Sequence, residues 1–191
     1  MENPPATDRG ARYTRTAMAL HWLIFLVLIG SFTIGIYMGD LHLSPTKLKL
    51  VAWHKWLGVT VFFLVCLRLG WRLRHTPPAL PAGMRAWEQQ AAQIGHRLLY
   101  LMLFVTPLTG WLMSSAKGVQ TVWFTVLPLP DLLQKNPPLG KALEEVHDTL
   151  AWMFLGLIAL HVAAAFKHLL LDRDEVMSHM VPGLPPPEKK S

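Results

Sequence analysis

Four long apolar stretches, each closed off by polar or charged residues, divide the chain at roughly 17–38, 48–71, 94–115 and 146–171. About 20 apolar residues cross a bilayer core as a helix. The pattern therefore predicts an all-α, integral membrane four-helix bundle. No alternation of period two suggests a sheet, and no internal repeat is visible. Hydrophobic residues make up 52% of the 191, too clustered for a soluble core. We read one membrane domain over 16–175, with a terminal segment on either side (1–15 and 176–191).

The connections differ in character. The link 72–93 carries Pro77, Pro78 and Pro81 and cannot be one continuous helix. Residues 86–92 are expected to start a helix that runs on into the third span. The first external loop, about 39–47, is short. The second, about 116–145, is the largest element outside the membrane, and its 122–129 segment, with Trp123, Phe124 and Pro128, reads as an interfacial lid. Residues 1–12 and 182–191 are expected to be disordered or extended. The N-terminal Arg-bearing stretch mimics a signal peptide, but its apolar run is long and lacks a small-residue exit, so it reads as a retained helix. Trp22, Trp53, Trp56, Trp71, Trp111 and Trp152 cluster toward the span ends, at headgroup depth.

The net charge of +6 follows a membrane rule rather than a nucleic-acid one. Arg9, Arg12, Arg15, Arg68, Arg72, Arg74, Arg85, Arg97, Lys167, Arg173, Lys189 and Lys190 fall on one side. Lys47, Lys49, Lys55, Lys117, Lys135 and Lys141 fall on the other. This asymmetry puts both termini in the cytoplasm, as an even number of spans requires. Cys66 is the only cysteine, so no internal disulfide can form, and it reads as a packing residue.

Chemistry enters with histidine spacing. His147 and His161 are fourteen residues apart in the last span. Fourteen steps of about 100° return to within roughly 40° of one face, and the rise of about 21 Å puts one imidazole near each edge of the bilayer core. Depth along the spans sorts the remaining histidines into two layers: His54 joins His147 on the outer side, while His21, His96 and His168 join His161 on the inner side. A six-coordinate haem needs two axial imidazoles at equal depth on different helices. The expected pairs are His54 with His147 and His21 with His161, holding two haems. His96 or His168 could replace an inner ligand on depth alone.

Other residues fall on the same faces. Gly35 lies fourteen after His21 and Gly110 fourteen after His96, leaving clearance for a porphyrin at outer depth. Arg68 and Arg72 follow His54 at inner depth and are candidates for haem propionates or a quinone, with Arg97 a weaker one. Otherwise such arginines snorkel to lipid phosphates. His96 and His168 are the candidate quinone site, since imidazoles can donate to carbonyl oxygens and deliver protons. His42, His75 and His179 are expected to be solvated.

At these residues the chain resembles the bacterial cytochrome b561 family, four-helix di-haem membrane cytochromes. The resemblance is carried by Arg12-Tyr13-Thr14-Arg15 leading to Leu20-His21-Trp22, and by the His54 segment with Arg68 and Arg72 before Thr76-Pro77-Pro78. It continues in Gly95-His96-Arg97-Leu98-Leu99-Tyr100 with Pro107 and Gly110, then His147-Asp148-Thr149-Leu150-Ala151, and His161-Val162-Ala163-Ala164-Ala165 with His168. It spans about residues 12–180. It implies b-type haem on His21, His54, His147 and His161, and a place in the bacterial inner membrane. It further implies that some members oxidise superoxide externally and reduce ubiquinone, while others are quinone-linked carriers without an assigned donor. Where relatives carry a small hydroxyl residue two positions before the first ligand, this chain has Ala19.

Bis-histidine ligation fills both axial positions and leaves outer-sphere electron transfer. Superoxide would give one electron on the outside, and two transfers would reduce ubiquinone within. Lys117, Lys135 and Lys141 could attract an anionic donor, although Asp131, Glu144 and Glu145 dilute that field. Two rivals stand beside this reading. One is a cytochrome subunit linking a partner dehydrogenase to the quinone pool. The other is a haem-free histidine-lined transporter, which the scarcity of acidic residues in the spans disfavours.

Overall fold

The structure, a computed structural model, describes residues 12–81 and 83–185. Four helices in it are long and apolar enough to cross a membrane. They are α1 (Arg15–Gly39), α2 (Pro45–Arg74), α3 (Ala86–Ala116) and α4 (Pro137–Lys167). The N-terminus of each is set by a local acceptor. The Thr14 hydroxyl accepts from Ala17 N–H at 3.2 Å, Ser44 from Lys47 N–H at 3.2 Å, and the Asn136 carbonyl oxygen from Leu139 N–H at 3.2 Å. In α3 the Glu88 carboxylate accepts from Arg85 N–H at 3.1 Å. Pro45 and Pro137 sit in first turns, where a missing N–H leaves no bond unmade.

Sequential helices pack as antiparallel neighbours, α1 on α2, α2 on α3 and α3 on α4. The buried apolar core is small and draws on every helix: Ile24, Val61, Val65, Leu103 and Phe154. Much of the remaining apolar surface faces outward, as at Leu26, Leu67, Trp152 and Leu160. In water such a surface would be a liability; against lipid tails it is the expected exterior.

One connection differs from the sequence reading in three respects. The second external loop is shorter than expected, because α4 starts at Pro137. Within it Val122–Trp123 pairs antiparallel with Leu127–Pro128, a two-stranded ladder (β1 and β2) where no sheet was expected; two residues per strand are too few to leave a periodic signal. The loop is also not a lid over the interior. It lies along α2 and α3, with Trp56 Nε1 donating to Val122 O at 2.8 Å, Trp123 Nε1 to the Thr60 hydroxyl at 3.2 Å, and Trp111 Nε1 to Pro130 O at 3.1 Å.

The C-terminal segment is tied down through residue 184. After α4 the chain makes a π turn (His168–Asp172) and a short helix α5 (Val176–Met180). Trp22 Nε1 donates to Met180 O at 3.0 Å, Tyr13 N–H to His179 O at 3.3 Å, and Arg12 Nη2 to Leu184 O at 2.6 Å. Both ends of the described chain therefore meet at one end of the bundle. His179, expected to be solvated, is covered there; its side chain is 13% exposed. His42 and His75 are exposed, the latter with its ring stacked on Trp71. Cys66, expected to pack, is exposed on the outward face of α2. Residues 1–11, expected to be disordered, and 186–191, expected to be extended, lie outside the described residues.

Candidate functional site

The helices bring the histidines together in two levels. The His54 and His147 ring centroids are 6.1 Å apart, with the planes at 84°. Those of His21 and His161 are 6.2 Å apart at 70°. Two metal–nitrogen bonds of about 2 Å, plus roughly 1 Å from nitrogen to ring centre at each end, put trans imidazoles about 6 Å apart. Both pairs have that separation. His96 lies closer to His161, at 5.5 Å, and so reaches the inner pair from α3.

The outer pair is oriented by backbone. His54 Nδ1 lies 3.0 Å from Ser31 O, and His147 Nδ1 lies 3.0 Å from Thr106 O. A carbonyl can only accept, so each Nδ1 carries the proton and each Nε2 is left bare, the form that binds a metal. The Ser31 and Thr109 hydroxyls lie beside the same nitrogens, at 3.4 and 3.2 Å. The glycines bear directly on the histidine rings, in addition to the porphyrin clearance expected of them. A Cβ on Gly35 would stand 3.1 Å from the His54 ring, and one on Gly110 3.0 Å from the His147 ring. Their missing side chains make room for the imidazoles themselves.

A cavity of about 380 Å³ opens beside the outer pair, between all four helices. His54, His147, Gly35, Phe32, Thr106 and Phe154 line it. Among the buried side-chain polar atoms described, the Thr106 hydroxyl alone has no hydrogen-bond partner, and it belongs to this cavity. An apolar chamber with two bare imidazole nitrogens facing one level fits a flat, metal-centred macrocycle. Asp40 and Asp148 also line it, whereas no lysine does. Lys117 is bound by Glu144 at 2.7 Å, which dilutes any cationic steering by the loop lysines further and suits their reading as ordinary loop residues.

At the inner level Arg68 links three helices. Its Nη1 donates to Ala17 O at 2.6 Å, one turn before His21, and its Nε to the Tyr100 hydroxyl at 3.1 Å, one turn after His96. Arg72 lies over the Tyr100 ring at 5.6 Å. Both arginines line a small recess with Arg12, Thr14 and Trp71, and Arg97 is exposed outside it. His168 is held differently from His96: its Nδ1 meets Asp174 at 2.6 Å and Asp172 at 3.1 Å.

Ser31, Thr106, Thr109 and the aspartates Asp40, Asp148, Asp172 and Asp174 were given no role from the sequence. The first two had a usable signal, since each lies one turn before a glycine, which uncovers its carbonyl.

A four-helix membrane bundle with two stacked imidazole pairs has the form of a membrane cytochrome that carries electrons. The family model described as prokaryotic cytochrome b561 matches residues 12–183, and the chain belongs to that family. It is 28% identical over 182 residues to cytochrome b561 homolog 2 of Escherichia coli (strain K12), covering 92% of this chain and 94% of that one. It is 27% identical over 174 residues to cytochrome b561 homolog 1 of the same organism, covering 90% and 97%. It is 27% identical over 173 residues to the probable superoxide oxidase CybB of Yersinia pestis, covering 90% and 96%. The chain is thus a membrane electron carrier of a b-type haem family.

Proposed function

We propose that the protein binds two haem b groups and carries electrons from an external one-electron donor, superoxide, to ubiquinone on the cytoplasmic side of the bacterial inner membrane. The observation that carries this reading is the doubled imidazole pair, with 6.1 Å between the outer rings and 6.2 Å between the inner ones. The relative named as a probable superoxide oxidase supports the choice of donor. The asymmetry of basic residues supports the orientation, with both termini cytoplasmic.

In this reading His54 and His147 hold the outer haem, and His21 and His161 the inner one. Bound haem would supply a one-electron redox centre at each level, linking a one-electron donor to a two-electron acceptor. With two histidines committed to each haem, the iron would offer oxygen no site, and the donor would react without binding the metal. Ser31 and Thr106 fix the outer rings through Nδ1. Arg68 holds the turn that carries His21, and with Arg72 it offers cationic charge at inner depth. His96 and His168 serve the quinone, and with Ala19 in place of the relatives' hydroxyl residue this chain must bind it without that group.

A second reading is favoured by Asp40 and Asp148 at the outer cavity. Carboxylates there oppose an anionic donor and suit a cationic face on a partner dehydrogenase or other redox protein. Generated superoxide, supplied to the purified protein in vesicles with ubiquinone, separates the two. Quinone reduction that the isolated chain sustains favours superoxide as donor. Reduction only in the presence of a co-purified subunit favours the partner.

A further inference from the structure

The end of α4 is built around His168. Regular helix stops at Lys167, the π turn follows, and Arg173 takes a left-handed conformation (φ 51°, ψ 45°). This reversal folds Asp174 back on the turn. Its N–H donates to His168 O at 3.2 Å, its Oδ2 lies 2.6 Å from His168 Nδ1, and its Oδ1 accepts from Val176 N–H at 3.0 Å. Asp172 Oδ2 is a second acceptor for Nδ1 at 3.1 Å. That oxygen also binds Lys167 Nζ at 2.5 Å, and Lys167 reaches Glu88 at the start of α3 at 2.9 Å.

A carboxylate in this setting accepts, so Nδ1 carries the proton and Nε2 is the nitrogen left for other partners. The His168 side chain is only 13% exposed, so the ring is enclosed by protein rather than loose in solvent. The three groups could suggest a cation site, but Lys167 already occupies the Asp172 oxygen that a metal ion would take.

We infer that Asp174, supported by Asp172, is a positioning residue that holds His168 to deliver protons to the reduced quinone. This rests on the quinone reduction proposed above for the inner side. Reduction to the quinol takes two electrons and two protons. Nε2 first takes a proton from water, giving an imidazolium whose Nδ1–H stays on Asp174, and then passes that proton to a quinone oxygen as electrons arrive. The Nε2–H bond breaks, its electron pair stays on Nε2, and an O–H bond forms, once for each of the two protons. Throughout, Asp174 keeps Nδ1–H engaged, so the ring does not turn between cycles. Lys167 and Glu88 anchor Asp172 to α3, which fixes the cluster against the bundle.

The test uses the haem-loaded protein in lipid nanodiscs, reduced stoichiometrically and mixed with a short-chain ubiquinone, with reoxidation followed by visible absorbance. Asp174→Asn is expected to keep its haem and to reoxidise roughly 10- to 100-fold more slowly at saturating quinone, as other disrupted carboxylate–histidine pairs do. Its half-saturating quinone concentration should not change. The slowed rate should gain a solvent deuterium isotope effect, and Asp174→Glu should recover much of the loss.

Should His168→Ala be slow while Asp174→Asn keeps the unsubstituted rate without an isotope effect, Asp174 is only a cap for α5 and the inference fails. Should His168→Ala itself reoxidise at the unsubstituted rate, the quinone role of His168 falls and takes the inference with it. Histidine-selective ¹⁵N spectra of the unsubstituted protein give an arm that needs no stable aspartate variant. The resonance that His168→Gln removes is expected to show its proton on Nδ1; a proton on Nε2 with a bare Nδ1 overturns the proposal.

Discussion

A carbonyl inside a helix is usually hidden by the side chain four residues on. Gly35 and Gly110 leave the carbonyls of Ser31 and Thr106 uncovered, and an imidazole from the next helix reaches each one. A methyl group at either position would press on a ring whose Nδ1 is already held by a backbone carbonyl. Gly110→Ala, with 3.0 Å of clearance, should therefore push His147 off its axis by a few tenths of an ångström and lower outer haem content while sparing the inner one. Haem quantification with redox titration checks this, and full retention of both haems would argue against it. Arg68 works in the opposite layer. Arg68→Ala releases the Ala17 carbonyl and the Tyr100 hydroxyl and leaves the turn bearing His21 unbraced. Retention of the inner haem should weaken roughly tenfold, as for other supports of a ligand. The depth of each histidine was legible in the sequence, because helical rise converts spacing to position. Their hydrogen-bond partners were not, because they depend on the rotation of one helix against its neighbour.

Among the elements, the four spans were legible because twenty apolar residues leave few options in a chain. Their ends were less so: α4 starts at Pro137, among polar residues whose helical state is decided by the Asn136 cap and by packing on α3. The external hairpin was missed as a ladder because its turn lacks the usual glycine. Phe124 and Thr125 both take positive φ, 47° and 60°, with Val126 N–H closing onto Trp123 O at 3.1 Å. Three residues separate the paired Trp123 and Leu127, and the two at positive φ carry side chains that resist such a turn. Trp56 of α2, donating to Val122 O, and Trp123 of the hairpin, donating to Thr60 of α2, hold it against that strain. Thr125→Gly should relieve about 1 kcal/mol and raise thermal stability without changing haem content. A lower denaturation temperature would contradict the strain. The covered His179 and the docked tail were equally illegible, since a short helix against the start of α1 leaves no periodic signal.

For the molecule as a whole, the core lies between the two histidine levels. Val61, Leu103 and Phe154 each follow a histidine of their own helix by seven residues, midway along the fourteen-residue interval. They form a dry partition that holds both layers in register. Phe154, 2% exposed and in edge contact with Phe32, is its largest member. Phe154→Ala should cost about 3–5 kcal/mol and lower the denaturation temperature in detergent or lipid. A shift of less than about 1 kcal/mol would show that the partition collapses around the gap.

The stoichiometry of haem on the purified chain tests the central claim most directly. Two b-type haems per polypeptide are expected. One should be lost with His54→Ala or His147→Ala, and the other with His21→Ala or His161→Ala. A single haem, none, or a loss that does not follow these pairs would contradict it.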